Sequence, residues 1–314
     1  MSLANRVFPV LVLTVACACA RAQVSRGPAG PHASQTPPGV VPELFAPGLV
    51  SGDGDQGGVV VSPGGREIYF WTIENRGGRI TSTIRVTRLV NGAWTSPEVV
   101  PFSGTHMDGY LAMRPDGSRL YFQSTRPIDR SESTHEYNLW YVERQGDGWS
   151  EARPMGRPIN GRDNTSGASV TADGTLYFTL MDLQSGHSEI YRSRLADGAY
   201  QEPERLPDAV NALFQTCDSY VAPDGSYLVF VAFPGRGHTN NPGGLYVSFR
   251  ESTGAWSAAR DVRLALGAAE GSSATISPDG RYLFFTRRSD GPQGLDVYWV
   301  STDVLRAPGR PAAR

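Results

Sequence analysis

"SPDGRYLFF" (277–285) reads as the end of one strand, a tight turn and the start of a second. Pro at the second turn position presets φ near −65°, Asp takes the third, and Gly accepts the left-handed backbone that returns the chain. Nearly the same words occur four more times, as "SPGGREIYF" (62–70), "RPDGSRLYF" (114–122), "TADGTLYF" (171–178) and "APDGSYLVF" (222–230). Aligned on Gly64, Asp116, Asp173, Asp224 and Asp279, the copies are 52, 57, 51 and 55 residues apart. A period this regular decides the architecture before any single element does. A carboxylate that returns in nearly every copy is a turn device, so Asp116, Asp173, Asp224 and Asp279 are given no catalytic role.

Each copy holds strand-like segments around its turn. The first precedes it: "GGVVV" (57–61), "GYLAM" (109–113), "GASVT" (167–171), "SYVA" (219–222) and "SATI" (273–276). The second follows it directly, as in "RLYF" and "YLFF". A third alternates apolar and polar residues, as a strand with one covered face does: "STIRVTRL" (82–89), "YNLWYVER" (137–144), "SEIYRSRL" (188–195), "GLYVSFRE" (244–251) and "LDVYWVST" (295–302). A fourth carries Trp94, Trp149, Tyr200 and Trp256 at one recurring position, which predicts packing between neighbouring sheets. The run contains one fourth strand too few. The missing one stands at the other end of the chain, where 40–65 repeats the layout of 95–117, so residues 41–49 are expected to supply the outer strand of the last sheet. The predicted fold is all-β: a β-propeller of five four-stranded blades closed by an N-terminal strand, with six blades as the alternative if one copy has diverged.

The pattern S/A-P-D-G-x-x-L-Y-F, then a Leu-Tyr or Ile-Tyr strand, then W-x-x-P or W-x-x-A, resembles the WD40-like, TolB-type (PD40) β-propeller repeats. The resemblance spans nearly all of the chain after its N-terminal leader. It is specific for fold and weak for function, because such repeats serve many binding proteins and several enzymes. It implies a propeller that binds partner proteins in the periplasm, although no TolB-style N-terminal domain is read ahead of the first copy.

The ends read differently from the middle. Arg6 precedes an apolar run, "VFPVLVLTVACACA" (7–20), too short for a membrane span, and "ARA" (20–22) has the small-x-small form of a cleavage site. Residues 1–22 are therefore expected to be a secretory signal peptide, and the mature protein to be periplasmic or secreted. The alternative is a lipoprotein anchored through Cys17 or Cys19. Residues 23–40, rich in Pro, Gly and Ser, are expected to be a linker, 41–305 the propeller, and 306–314 a disordered tail. Only Cys217 lies outside the signal, so no internal disulfide is expected, and a lone Cys beside a strand reads as a small buried apolar residue. Net charge of −2 without basic clusters argues against nucleic acid and anionic lipid as partners. No cofactor and no membrane span are expected, and the protein is taken to act as a monomer.

Catalytic patterns are poor. The five histidines are scattered without metal-ligand spacing, and no G-x-S-x-G elbow occurs. "SGDGDQGG" (51–58) lacks the ligands that would complete a calcium loop, so no metal residues are assigned. Long polar loops enter the first strands and join second to third strands, on the rim opposite the Pro-Asp-Gly turns. Asp55, Asp108, Asn164, Asp218 and Glu270 stand just ahead of, or at the start of, innermost strands and are the candidate ligand-binding ring, expected to face solvent at a channel mouth. The leading expectation is a non-enzymatic binder of a protein, peptide or cell-envelope glycan. Its rival is a glycan-active hydrolase or lyase using Asp108, Asp218 and Glu270.

Overall fold

The computed structural model describes residues 31–306 except 53, 129–136, 162–163, 234–242, 268–270 and 289–293. Each sequence copy folds into an antiparallel sheet. The inner strands are Asp55–Val61, Asp108–Met113, Asn164–Val170, Gln215–Val221 and Ser272–Ile276, called inner strands 1 to 5 below. Each pairs with the strand after its turn, which pairs with a third: Glu67–Arg76 with Arg79–Val90, for example, and Tyr282–Arg288 with Leu295–Ser301. Outer strands of two residues finish four of the sheets: Glu98–Val99, Arg153–Pro154, Glu204–Arg205 and Arg260–Asp261.

The outer strand of the fifth sheet comes from the other end of the chain. Glu43 pairs with Trp299 and Leu44 with Tyr298, antiparallel. The Phe45 amide then donates to the Val297 carbonyl at 2.8 Å. Ser51 both donates its hydroxyl to the Val297 carbonyl and accepts the Val297 amide.

The turns are built as the sequence implies. In every copy the Gly amide donates to the carbonyl three residues back, as Gly280 does to Ser277 at 2.8 Å and Gly117 to Arg114 at 2.8 Å. These glycines have φ between +65° (Gly65) and +89° (Gly174), where a Cβ would be strained. The Asp carboxylates of the turn accept the amide two residues on, for instance Ser226 to Asp224 at 3.0 Å, so they brace the turn itself.

The buried residues fall into clusters, each lying between two neighbouring sheets. Val60, Tyr69 and Ile84 pack on Leu111 and Phe122. Tyr121 and Leu139 pack on Val170 and Phe178. The next two clusters join sheets three and four, then four and five. The fifth joins sheet five to sheet one through Phe45, Phe70, Trp94, Phe284 and Trp299. The recurring aromatics do the expected packing: the Trp149 indole donates to the Tyr69 hydroxyl at 3.0 Å, Tyr200 meets Tyr121, and Trp256 stands edge-on to Tyr177.

The second half of the expected linker is part of the fold. Gln35 donates to the Leu44 carbonyl and accepts the Ala46 amide, the Ser301 amide donates to Gly39, and His32 lies against Tyr282 and Trp299. A tether rich in Pro and Gly still presents backbone and ring surface to a sheet edge. Residues 1–30 and 307–314, which hold the expected signal, the first part of the linker and all but Arg306 of the expected tail, lie outside the described residues.

Candidate functional site

Counted back from the aligned turn residue, each inner strand can be read position by position. Nine residues ahead stand Asp55, Met107, Asn164, Gln215 and Glu270; eight ahead, Gln56, Asp108, Thr165, Thr216 and Gly271; six ahead, Gly58, Tyr110, Gly167, Asp218 and Ser273. The expected ring of five residues is thereby divided among three levels.

The ninth position is a latch between sheets. Asp55 accepts the Leu295 amide of sheet five at 2.7 Å, Asn164 accepts the Tyr137 amide of sheet two, and Gln215 donates to the Gly186 carbonyl of sheet three at 2.6 Å. Gly294 allows the first of these, since a Cβ there would sit 1.6 Å from the Asp55 carboxylate oxygen. The similar placement of Asp55 and Asn164 thus has a structural cause. Glu270 lies outside the described residues.

Asp108 is a correction to the expectation of a solvent-facing carboxylate. It is fully buried. Arg126 donates to one carboxylate oxygen at 2.9 Å and the Ser103 hydroxyl to the other at 2.7 Å. Arg126 lies between the Phe122 and Trp140 rings, about 5 Å from each. A carboxylate held this way anchors a loop.

At the sixth position the chain bulges in four of the inner strands, and the first strand bulges one residue earlier. All five residues there have positive φ: +144° at Gly58, +48° at Tyr110, +56° at Gly167, +49° at Asp218 and +52° at Ser273. For Tyr, Asp and Ser this backbone costs on the order of 1–2 kcal/mol each. A bulge re-aims its side chain out of the alternation of the strand. A Cβ on Gly58 would lie 2.9 Å from the Ser273 Cβ, and one on Gly167 would lie 3.1 Å from Asp218 backbone atoms. Neighbouring inner strands therefore approach closely at this level, and two missing side chains make room for the other three.

Asp218 stands apart electrostatically. Part of its surface remains open. Burial pushes its carboxyl up to about 7. Among the described residues no hydrogen bond and no ion pair reaches that carboxylate. Its charge, more than burial, raises the phenol of Tyr110 well above the usual range. Burial and then the same charge keep the Cys217 thiol protonated, as expected of an inert cysteine. Tyr110 stacks at 5.2 Å on the buried Trp71 ring, which covers Gly57 and Gly109. Further along the inner strands a cavity of about 110 Å³ opens between them, bounded at the turn end by Pro63, Pro115, Pro223 and Pro278.

Of the expected residues, only Asp218 belongs to this level. Tyr110 and Ser273 were missed. The signal was available: once the copies are aligned, the column that holds Asp218 also holds two glycines, which marks a left-handed backbone. Among the described residues no group of His, Cys, Asp and Glu is arranged to hold a metal ion, and no helix is long and apolar enough to cross a membrane.

No family model matches the chain, and no curated protein matches it. Solved structures do. An endo-arabinase from Bacteroides thetaiotaomicron VPI-5482 is 14% identical, with a TM-score of 0.50 over 85% of this chain and 97% of its own. TolB from Acinetobacter baumannii is 20% identical, with a TM-score of 0.48 over 79% of this chain. The match covers 52% of TolB, so the chain spans about half of that protein's length. An α-L-arabinofuranosidase from Lactobacillus brevis is 16% identical, with a TM-score of 0.47 over 79% of this chain and 90% of its own. The fold is all-β and its structural neighbours are β-propellers; at these identities the likeness speaks to fold alone.

Proposed function

We propose that the chain is an exported, TolB-type β-propeller of five blades, closed by Glu43–Leu44, that binds a peptide, protein or cell-envelope glycan at the loop-rich mouth of its central channel. Three features support the closed ring. The N-terminal strand completes the fifth sheet. The Thr275 hydroxyl donates to the Val59 carbonyl at 2.6 Å across inner strands five and one. An apolar cluster fills the same joint.

The observation that carries the binding reading is Asp218, a carboxyl without a partner among the described residues, held on a strained bulge. Strain and an unmet polar group are retained where a ligand makes use of them. The test is an array of peptides and glycans probed with the exported chain and with Asp218→Asn. A ligand that binds the wild type and loses about tenfold or more with Asn supports the reading. Equal binding by both proteins removes Asp218 from the site.

One observation favours a second reading. A carboxyl that titrates near neutrality is suited to act as a general acid on a glycoside. That chemistry needs a second carboxylate, and Asp108 is committed to Arg126. Release of reducing sugar from envelope glycans, abolished by Asp218→Asn, would favour it over binding alone.

A further inference from the structure

We propose that the groove between sheets four and five, at their turn ends, is a docking site for a proline-rich segment of a partner protein in the extended polyproline conformation. The site is separate from Asp218, which does not line it. The groove encloses about 800 Å³ and owes its existence to the way the fold closes. Four sheets end in a hairpin that carries Trp94, Trp149, Tyr200 or Trp256. Each of these rings packs on the neighbouring sheet. Sheet five instead takes its outer strand from Glu43–Leu44 and finishes in the turn Thr302–Leu305, so it sends no hairpin ring over sheet four.

The surface left open on sheet four is aromatic. Tyr220, Tyr227 and Phe249 form a row across the sheet, each half-buried, with ring centroids 6.4 and 6.2 Å apart. Three residues after the aligned turn position, Tyr227 stands where sheets one and two have Glu67 and Arg119, both ion-paired. Among the described residues that line the groove, none makes an ion pair. A wall of rings without paired charges suits prolines, which lie flat on aromatic side chains and bring a backbone that is already ordered. The chain supplies its own precedent. Pro38, from the run Pro37-Pro38-Gly39, is buried where it lines the groove, and the Gly39 carbonyl accepts the Ser301 amide of sheet five at 2.8 Å. One extended proline segment is thus already seated in this groove, and the three rings of sheet four offer a surface of the same kind to a second.

The experiment follows the Tyr227 ring signals by NMR in the full exported chain, assigned by their loss in Tyr227→Leu, which removes the ring and keeps apolar bulk. The chain is titrated separately with blocked hexaproline, a blocked glycine-serine hexapeptide and maltohexaose. The expected result is that hexaproline alone shifts the Tyr227 signals, that its affinity falls about tenfold or more in Tyr227→Leu, and that Asp218→Asn leaves it unchanged. An equal response to the glycine-serine peptide, or a response to maltohexaose without one to hexaproline, overturns the proline assignment. A shift seen only in a chain ended at Arg306 overturns the partner assignment and gives the groove to residues 307–314, which carry Pro308 and Pro311. No shift in either chain overturns the docking site itself.

Discussion

Asp108 and Asp218 are two residues of one type on equivalent strands, and their surroundings give them opposite work. Asp108 meets a guanidinium and a hydroxyl, and among the described residues Asp218 meets neither. Removing one partner of a buried pair leaves the other charge unpaired, so Asp108→Ala should destabilise the chain by about 3–5 kcal/mol. Urea unfolding midpoints measure this, and a loss below about 1 kcal/mol would mean that Arg126 finds another partner. At Asp218 the sign reverses. Its folded-state pKa lies above the unfolded value, so the stability it contributes is complete below about pH 4 and is lost as pH rises through about 7. Asparagine does not titrate. Asp218→Asn should therefore raise the melting temperature more at pH 8 than at pH 5. A gain that is the same at both pH values would show that Asp218 is ionised throughout.

At the scale of elements, the turns, the second and third strands and the inter-sheet aromatics were legible because each follows from short-range rules: turn chemistry, alternation and a repeated large ring. The inner strands were read too short. "SYVA" begins at Ser219, whereas the strand begins at Gln215 and passes through the bulge at Asp218. The missed half is polar, "QTCD", and a bulge breaks the period-2 pattern by which strands are recognised. The same break hid the level shared by Tyr110, Asp218 and Ser273, and made Asp55, Asp108 and Asn164 look like members of one ring. The aromatic joints can be weighed directly. Trp149 stacks under Arg144 at 4.1 Å and donates to Tyr69. Trp149→Phe should cost about 1 kcal/mol for the lost hydrogen bond, and Trp149→Ala about 2–4 kcal/mol for the lost packing. Equal costs for the two, measured by denaturant unfolding, would assign the joint to the hydrogen bond rather than to the ring.

For the whole molecule, the joint between the last sheet and the N-terminal strand decides whether the inner strands enclose a channel. Its existence was legible from counting strands; the role of residues 31–40 was not, since nothing in a Pro-rich run announces that Gln35 will bond Leu44 and Ala46. Removal of the chain before Pro31 should leave the melting temperature unchanged. Removal through Leu49 strips Phe45 and Leu49 from the cluster around Trp299 and should cost several kcal/mol, given about 1.5–3 kcal/mol for each large apolar side chain. Equal melting of the two truncated chains would refute the joint. Burial among the inner strands is what raises the Asp218 carboxyl. The most direct measurement is therefore the titration of the Asp218 carboxyl carbon by NMR in the intact chain without ligand. Half-protonation near pH 7 is expected of this partly buried carboxyl, which has no partner among the described residues; half-protonation near pH 4 would place it in open water or beside a cation, and the proposed site would fall.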